Sequence, residues 1–363
     1  MPAPNVPVSS PQRILEAAAA PTLAAGLVVV SEAVRVGQTD LALGFLEALR
    51  KQYGQDPGID LVEASLRARI GQFEAALQLV KHAGRVGADC ATTKLYEAQL
   101  MIQAGLKMEG LKQLRALVAQ CPDFPGLAGI LAKSMMPGQG YREVLAALHQ
   151  RIQPRGYLEV GVETGATLAL SHASCTIGID PDFSVLKREM LSEHCKLFEM
   201  TSARFFELHS SKDVLRDVPL DLVFIDGLHQ FESAISDFAC AERWCHEDSV
   251  LVMHDALPIA PEYATVERQT RFWAGDVWKA VPLLMRARPE LRIRIIATPP
   301  SGLVVVTRLR QREQLEARWH EGHRSEINAM SLSPEVPPWP AEFPIVANST
   351  AGYDEALGRR QEP

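Results

Sequence analysis

With 363 residues and a formal net charge of −7, the chain has room for two domains with separate cores and shows no basic footprint for a nucleic acid. Its 47% hydrophobic and 22% charged composition is that of an ordinary globular protein. The six cysteines (Cys90, Cys121, Cys175, Cys195, Cys240 and Cys245) form no CxxC pair, which speaks against a cysteine zinc module or a disulfide framework and favours a reducing cytoplasm.

Residues 1–12 read as a disordered N-terminus. The most apolar stretch near the N-terminus, Ala17 to Val30, carries Pro21 and Gly26, lies between Glu16 and Glu32, and is shorter than the ~20 residues of a membrane helix, so neither a membrane span nor a signal peptide is expected. Gly37, Gly71 and Gly105 then recur at a spacing of 34 residues and open the similar segments GQTDLALGFL, GQFEAALQLV and GLKMEGLKQL. Leu27, Leu61 and Leu95 share one column of this register, Val30, Ala64 and Ala98 a second, and Val34, Ala68 and Ile102 a third. Small and aliphatic residues at helical spacing predict stacked helix pairs over residues 13–150. The period resembles that of the tetratricopeptide repeat, although the early tryptophan of that family is missing; the resemblance implies a surface for a protein partner or for self-association.

From Gly156 the pattern changes. Apolar runs at 157–162 (YLEVGV), 175–180 (CTIGID), 196–200 (KLFEM), 221–226 (DLVFID) and 249–255 (SVLVMHD) alternate with helix-like segments, which predicts a Rossmann-like, doubly wound α/β sheet over residues 151–310. The last two runs, 291–298 and 302–309, are joined by three residues, too few for a crossover, so they should form an antiparallel hairpin. Residues 311–363 read as a charged helix and a proline-rich tail lying on a surface.

In an open α/β sheet, ligands bind beyond the carboxyl ends of the strands. Glu163, Asp180, Asp226, His229, His254 and Asp255 all fall there. The first strand turns through Glu159, Gly161, Glu163 and Gly165, and Asp180 ends the next strand nineteen positions after Gly161, an arrangement that suits a nucleotide with the acid on its ribose. A dinucleotide fingerprint would place glycine at 163, and a carboxylate there repels a pyrophosphate. The loop suits a phosphate-free, positively charged cofactor such as S-adenosylmethionine.

The segments YLEVGVETGAT, TIGIDPD, EMTSARFF, DLVFIDGLHQFESAISD, VLVMHDA and GDVWKAV together make the second half resemble a class I S-adenosylmethionine-dependent methyltransferase. The resemblance implies seven strands with an antiparallel last one. It also implies that Glu159, Gly161 and Gly165 shape the methionine and ribose pocket, that Asp180 holds the ribose hydroxyls, and that Thr201 and Ser202 lie near the adenine. Glu163 stands where many relatives have glycine.

A hydroxyl acceptor needs a base for its proton or a metal to absorb its charge. Asp226, His254 and Asp255, at adjacent strand ends, offer a cage for a divalent ion, with His229 pointing toward the acceptor as base. This pattern is similar to that of metal-dependent O-methyltransferases acting on macrolide sugars, where a carboxylate occupies the position of His254; its replacement lowers the ligand charge and opens the site to Mn2+ as well as Mg2+. Trp273 and Trp278 read equally as core, lid or acceptor platform. The expected activity is methylation of a hydroxyl on a sugar or other small metabolite. The alternative is an interaction scaffold whose α/β domain binds cofactor without turnover; a nicotinamide-linked oxidoreductase is disfavoured by Glu163.

Overall fold

The computed structural model describes residues 22–309 and 321–359. The expected disorder of residues 1–12 lies outside the described residues. The chain divides after Cys121 into two compact units.

In the first unit, α1 (Leu23–Arg35) packs on α2 (Thr39–Tyr53), α3 (Pro57–Arg69) on α4 (Phe73–Arg85), and α5 (Cys90–Gln103) on α6 (Lys107–Gln120). The turn inside each pair is the same. Gly37, Gly71 and Gly105 have φ of 80°, 78° and 90°, left-handed backbone that glycine adopts without strain. The residue after each glycine donates back to the helix: Gln38 to Ala33 (2.9 Å), Gln72 to Arg67 (2.9 Å) and Leu106 to Met101 (2.9 Å). The glycine itself closes a second bond, to Val34, Ala68 and Ile102. Both bonds satisfy carbonyls that a helix end would otherwise leave bare. Val30, Ala64 and Ala98, one column of the sequence register, are fully buried.

The second unit opens with α7 (Leu127–Met135) and α8 (Tyr141–Ile152), followed by β1 (Gly156–Val160), β2 (Cys175–Asp180), β3 (Cys195–Glu199), α9 (Ser202–Leu208), α10 (Ser211–Leu215), β4 (Leu220–Ile225), α11 (Phe231–Glu242) and β5 (Cys245–His254). After these come α12 (Ala280–Ala287), β6 (Arg292–Ile296), β7 (Leu303–Thr307), α13 (Glu321–Asn328), β8 (Ile345–Val346) and α14 (Thr350–Ala356). The sheet runs β3-β2-β1-β4-β5-β7-β6-β8. β1 to β5 are mutually parallel, and β7 is inserted antiparallel between β5 and β6, with Arg292 opposite Thr307 in the expected hairpin.

The structure departs from the sequence expectations in three places. The sheet has eight strands, because Ile345–Val346 pairs in parallel with Ile295–Ile296. The proline-rich tail is therefore built into the fold: Phe343, Val346, Tyr353 and Ala356 are buried, and Tyr353 donates to Asn348 (2.5 Å). The unit boundary falls at Cys121 rather than near residue 150. Val144, Leu145 and Leu148 of α8 share one core with Tyr157, Phe224, Val252 and Leu303 of the sheet, so this helix is a layer of the α/β unit.

A fragment spanning residues 122–363 is expected to unfold cooperatively in denaturant, whereas one starting at 151 exposes the apolar face that α8 covers and should aggregate or melt without a transition. Equal cooperativity of the two fragments would contradict this packing.

Candidate active site

The strand order reverses between β1 and β4, and the loops leaving their carboxyl ends meet there. Gly161 has φ of 85°, and a Cβ on it would stand 2.0 Å from the Asp226 carbonyl oxygen. The Asp226 amide closes the contact by donating to the Val160 carbonyl (2.8 Å). Around this crossing lies a cleft of about 760 Å3 lined by Gly161, Glu163, Asp180, Thr201, Ser202, Asp226, His229, His254 and Asp255, with Trp273 on its far wall.

At one end, Asp180 takes the amides of Val162 (2.8 Å) and Glu163 (3.0 Å) on one carboxylate oxygen and that of Asp182 (2.9 Å) on the other. The loop's own N–H groups are thus committed to a carboxylate and are turned away from any phosphate. Glu163 is exposed, with φ of 48°, and projects its charge at the rim. Gly165, with φ of 82°, carries the chain round the turn. Thr201 caps α9 by accepting from the Arg204 amide (3.3 Å), placing Ser202 at the cleft.

The other end holds four titratable groups. Asp255 is buried, in left-handed backbone with φ of 62°, and accepts from Ser301 (2.5 Å). His229 places Nδ1 2.9 Å from Asp255 Oδ2 and 3.0 Å from the Trp273 carbonyl, and Nε2 3.7 Å from Asp226 Oδ1. Its ring stacks on that of Trp273 at 5.3 Å. Gly275 lets this segment close in, since a Cβ there would strike the His229 carbonyl at 1.6 Å. Burial works against the His229 charge, but the hydrogen bond and negative charge of Asp255, helped by Asp226, raise it to about 9. Burial likewise opposes ionisation of Asp255, yet the charge of His254 and the bond from His229 hold it below the ordinary carboxylate range. The two shifts together favour a charged pair between His229 and Asp255.

His254 approaches both carboxylates as well, its Nδ1 standing 3.5 Å from Asp255 Oδ1. Its Nδ1 is 3.1 Å from Asp226 and its Nε2 3.2 Å from Ser301, and its ring stacks on Tyr141 at 4.2 Å. Among the described residues, the donors that converge are those of Asp226, His229 and Asp255, all within 4.8 Å of one another. His254, expected as a ligand, hydrogen-bonds Asp226 and Ser301, and His229, expected as a base, lies among the converging donors.

Residues 158–256 match the family described as a methyltransferase domain. The second unit therefore contains a methyltransferase domain over those residues. No curated protein matches the chain. Among solved structures, the chain is similar to the cofactor-bound protein Rv0187 from MTB, at 16% identity over 53% of this chain and 94% of that one, with a TM-score of 0.39. It is also similar to an O-methyltransferase from Bacillus cereus in complex with SAH (13%, 59% and 96%, TM-score 0.37) and to the O-methyltransferase TomG from Streptomyces achromogenes in complex with SAM (14%, 60% and 95%, TM-score 0.37).

Within the methyltransferase domain, Glu159 does not reach the cleft wall. It is fully buried beneath the loop, where Tyr157 (2.5 Å) and Thr167 (2.7 Å) donate to it, and burial raises it to about 8 against those two bonds. Trp278 is core and Trp273 is cleft wall. Sequence reasoning missed Tyr141, Ser301 and Asp237. Asp237 was detectable: it interrupts the apolar face formed by Ala234, Phe238 and Ala241 of α11. Burial pushes it up to about 6, with the Ser202 hydroxyl pulling the other way.

Because folded Glu159 keeps its proton up to about pH 8 while an unfolded glutamate releases it near 4.5, the folded state binds more protons between those values and loses stability as pH rises through them. Glu159→Gln removes this titration. The variant should melt higher than the parent at pH 8, by roughly 2–4 °C for each kcal/mol recovered, and show a flatter profile from pH 5 to 8; identical pH profiles of the two proteins would refute a protonated Glu159.

Proposed function

We propose that the chain methylates a hydroxyl oxygen of a small, sugar-like metabolite, using S-adenosylmethionine. The observation that carries this reading is the convergence of His229 with Asp226 and Asp255 across the cleft from the Asp180-bound loop. Bound S-adenosylmethionine supplies an electrophilic methyl on a sulfonium. Asp180 offers its carboxylate to the ribose, and the Glu163 side of the loop favours a cationic, phosphate-free ligand.

The acceptor oxygen attacks the methyl carbon in line as the carbon–sulfur bond breaks, and the bonding pair stays on sulfur. The acceptor's proton passes to His229 Nε2. Asp255 and the Trp273 carbonyl hold Nδ1–H and fix the tautomer in which Nε2 is the acceptor. Trp273 stacked over the ring keeps its plane in place. Asp226 lies close enough to steady the imidazolium that forms.

Two carboxylates and one imidazole fit Mg2+ or Mn2+, the nitrogen favouring the softer Mn2+. With an ion bound, His229 would join Asp226 and Asp255 in holding it instead of acting as the free base, and the ion would supply the positive charge that acidifies the acceptor hydroxyl in place of proton transfer to Nε2. Convergence of these three side chains supports turnover over a cofactor-binding scaffold. The three identical glycine turns support a tetratricopeptide-like role for the first unit, in binding a protein partner or a second copy. The six free cysteines fit a cytoplasmic setting, and no described helix is long and apolar enough to cross a membrane.

Mass spectrometry of products formed with labelled S-adenosylmethionine and a hydroxylated metabolite extract tests the reading, with a product heavier by one methylene plus the label as the expected result. His229→Ala should lower the turnover number by about 10²–10⁴ with little change in cofactor affinity; a variant with unimpaired turnover would exclude His229 as base.

A base held near 9 is mostly protonated at neutral pH. In chelator the rate should therefore climb with pH toward 9, whereas Mn2+, by displacing that proton, should move the rising limb to lower pH by about one unit or more. Superimposable pH profiles with and without Mn2+ would exclude the ion from the site.

A further inference from the structure

Charge is distributed unevenly along the cleft. Beyond His229, the segment 264–273 that carries Trp273 also brings Arg268 and Arg271 to the lining. The Arg268 guanidinium donates to the carbonyls of Thr270 (3.3 Å) and Arg271 (2.8 Å), which folds the segment back on itself and fixes that charge. The Arg271 backbone is tied to Asp123 through its amide (2.7 Å), while its exposed side chain has no hydrogen bond or ion pair among the described residues. Elsewhere arginines such as Arg155 and Arg288 are matched to carboxylates. Arg142 also lines the cleft, but its guanidinium donates to the Tyr141 hydroxyl (3.2 Å) and is offset by the charges of Glu163 and Asp226.

We infer that Arg268 and Arg271 select an acceptor bearing an oxyanion, a phosphate or a carboxylate, in addition to the hydroxyl that is methylated. This rests on the methyl-transfer reading and narrows its acceptor class from a neutral sugar to an acidic metabolite. Planar guanidinium groups match the paired oxygens of a phosphate or carboxylate. Phe272 and Trp273, half-buried in the same lining, put apolar surface beside such a contact and would strengthen it. A neutral acceptor would leave the Arg271 guanidinium at the cleft without a partner among the described residues.

The test uses the full chain saturated with S-adenosylhomocysteine in chelator-treated buffer, titrated by calorimetry with phenyl phosphate, benzoate and uncharged phenol. Phenyl phosphate should bind at least roughly tenfold more tightly than phenol. That preference should shrink in Arg271→Gln and vanish in Arg271→Glu, with affinity for S-adenosylhomocysteine unchanged within about twofold, a range set by the distance of a screened charge from the cofactor end. Benzoate matching phenyl phosphate assigns any oxyanion, and weaker benzoate assigns a phosphoryl group; both support the inference. Phenol binding as tightly as either anion, or an anion affinity untouched by Arg271→Glu, would overturn it. Failure of S-adenosylhomocysteine itself to bind would instead overturn the methyl-transfer reading.

Discussion

A backbone carbonyl, that of Asp226, occupies the space in which any side chain on residue 161 would have to stand. This close approach of two loops is where the site begins. It draws the turn after β1 against the turn after β4, so that the loop locked by Asp180 and the acids of β4 and β5 open into one cleft. Glycine meets two demands there at once, absence of a Cβ and a left-handed backbone. The parallel strands supply the direction, the switch in their order supplies the crevice, and the glycine allows the crevice to close at its base.

The electrostatics of the cleft follow from what each carboxylate already binds. Asp180 accepts backbone amides on the side of the loop, which ties down the N–H groups that a pyrophosphate would need and leaves acceptor capacity for hydroxyls. Glu163 adds a negative rim. At the opposite end two acids are shared by two imidazoles, and Asp255 with Asp226 favours the charged form of His229. A donor that is itself cationic and lacks phosphate is the complement of such a loop. A proton and a divalent ion compete for the same pair of carboxylates, so the acid–base state of His229 and ion binding form a single equilibrium.

The strands, the hairpin and the period of 34 residues were legible because they rest on repetition: apolar runs of fixed length, and glycine at a fixed interval. The helix at 141–152 was misplaced because an apolar stripe reports that a helix is buried without saying against which partner. The tail was misread because two residues, Ile345 and Val346, are too few to register as a strand and sit among prolines. His254 and Asp255 were seen as a pair at a strand end, and they do stay together on Ser301; what the pattern did not show is the left-handed turn at Asp255 that brings its other carboxylate oxygen to His229. Arg268, Arg271 and Trp273 reach the cleft from a loop more than forty residues beyond Asp226 in sequence, through backbone bonds that no local pattern announces.

The central claim is that one cleft holds an adenosyl donor on Asp180 and presents its sulfur to His229. A crystal structure of the full chain grown with S-adenosylhomocysteine and Mn2+ tests it most directly, with anomalous scattering locating the ion. The account predicts ribose hydroxyls on Asp180, the thioether sulfur turned toward His229, and the ion between Asp226 and Asp255. An adenosyl group seated away from Asp180, or one whose sulfur faces away from His229, would contradict it.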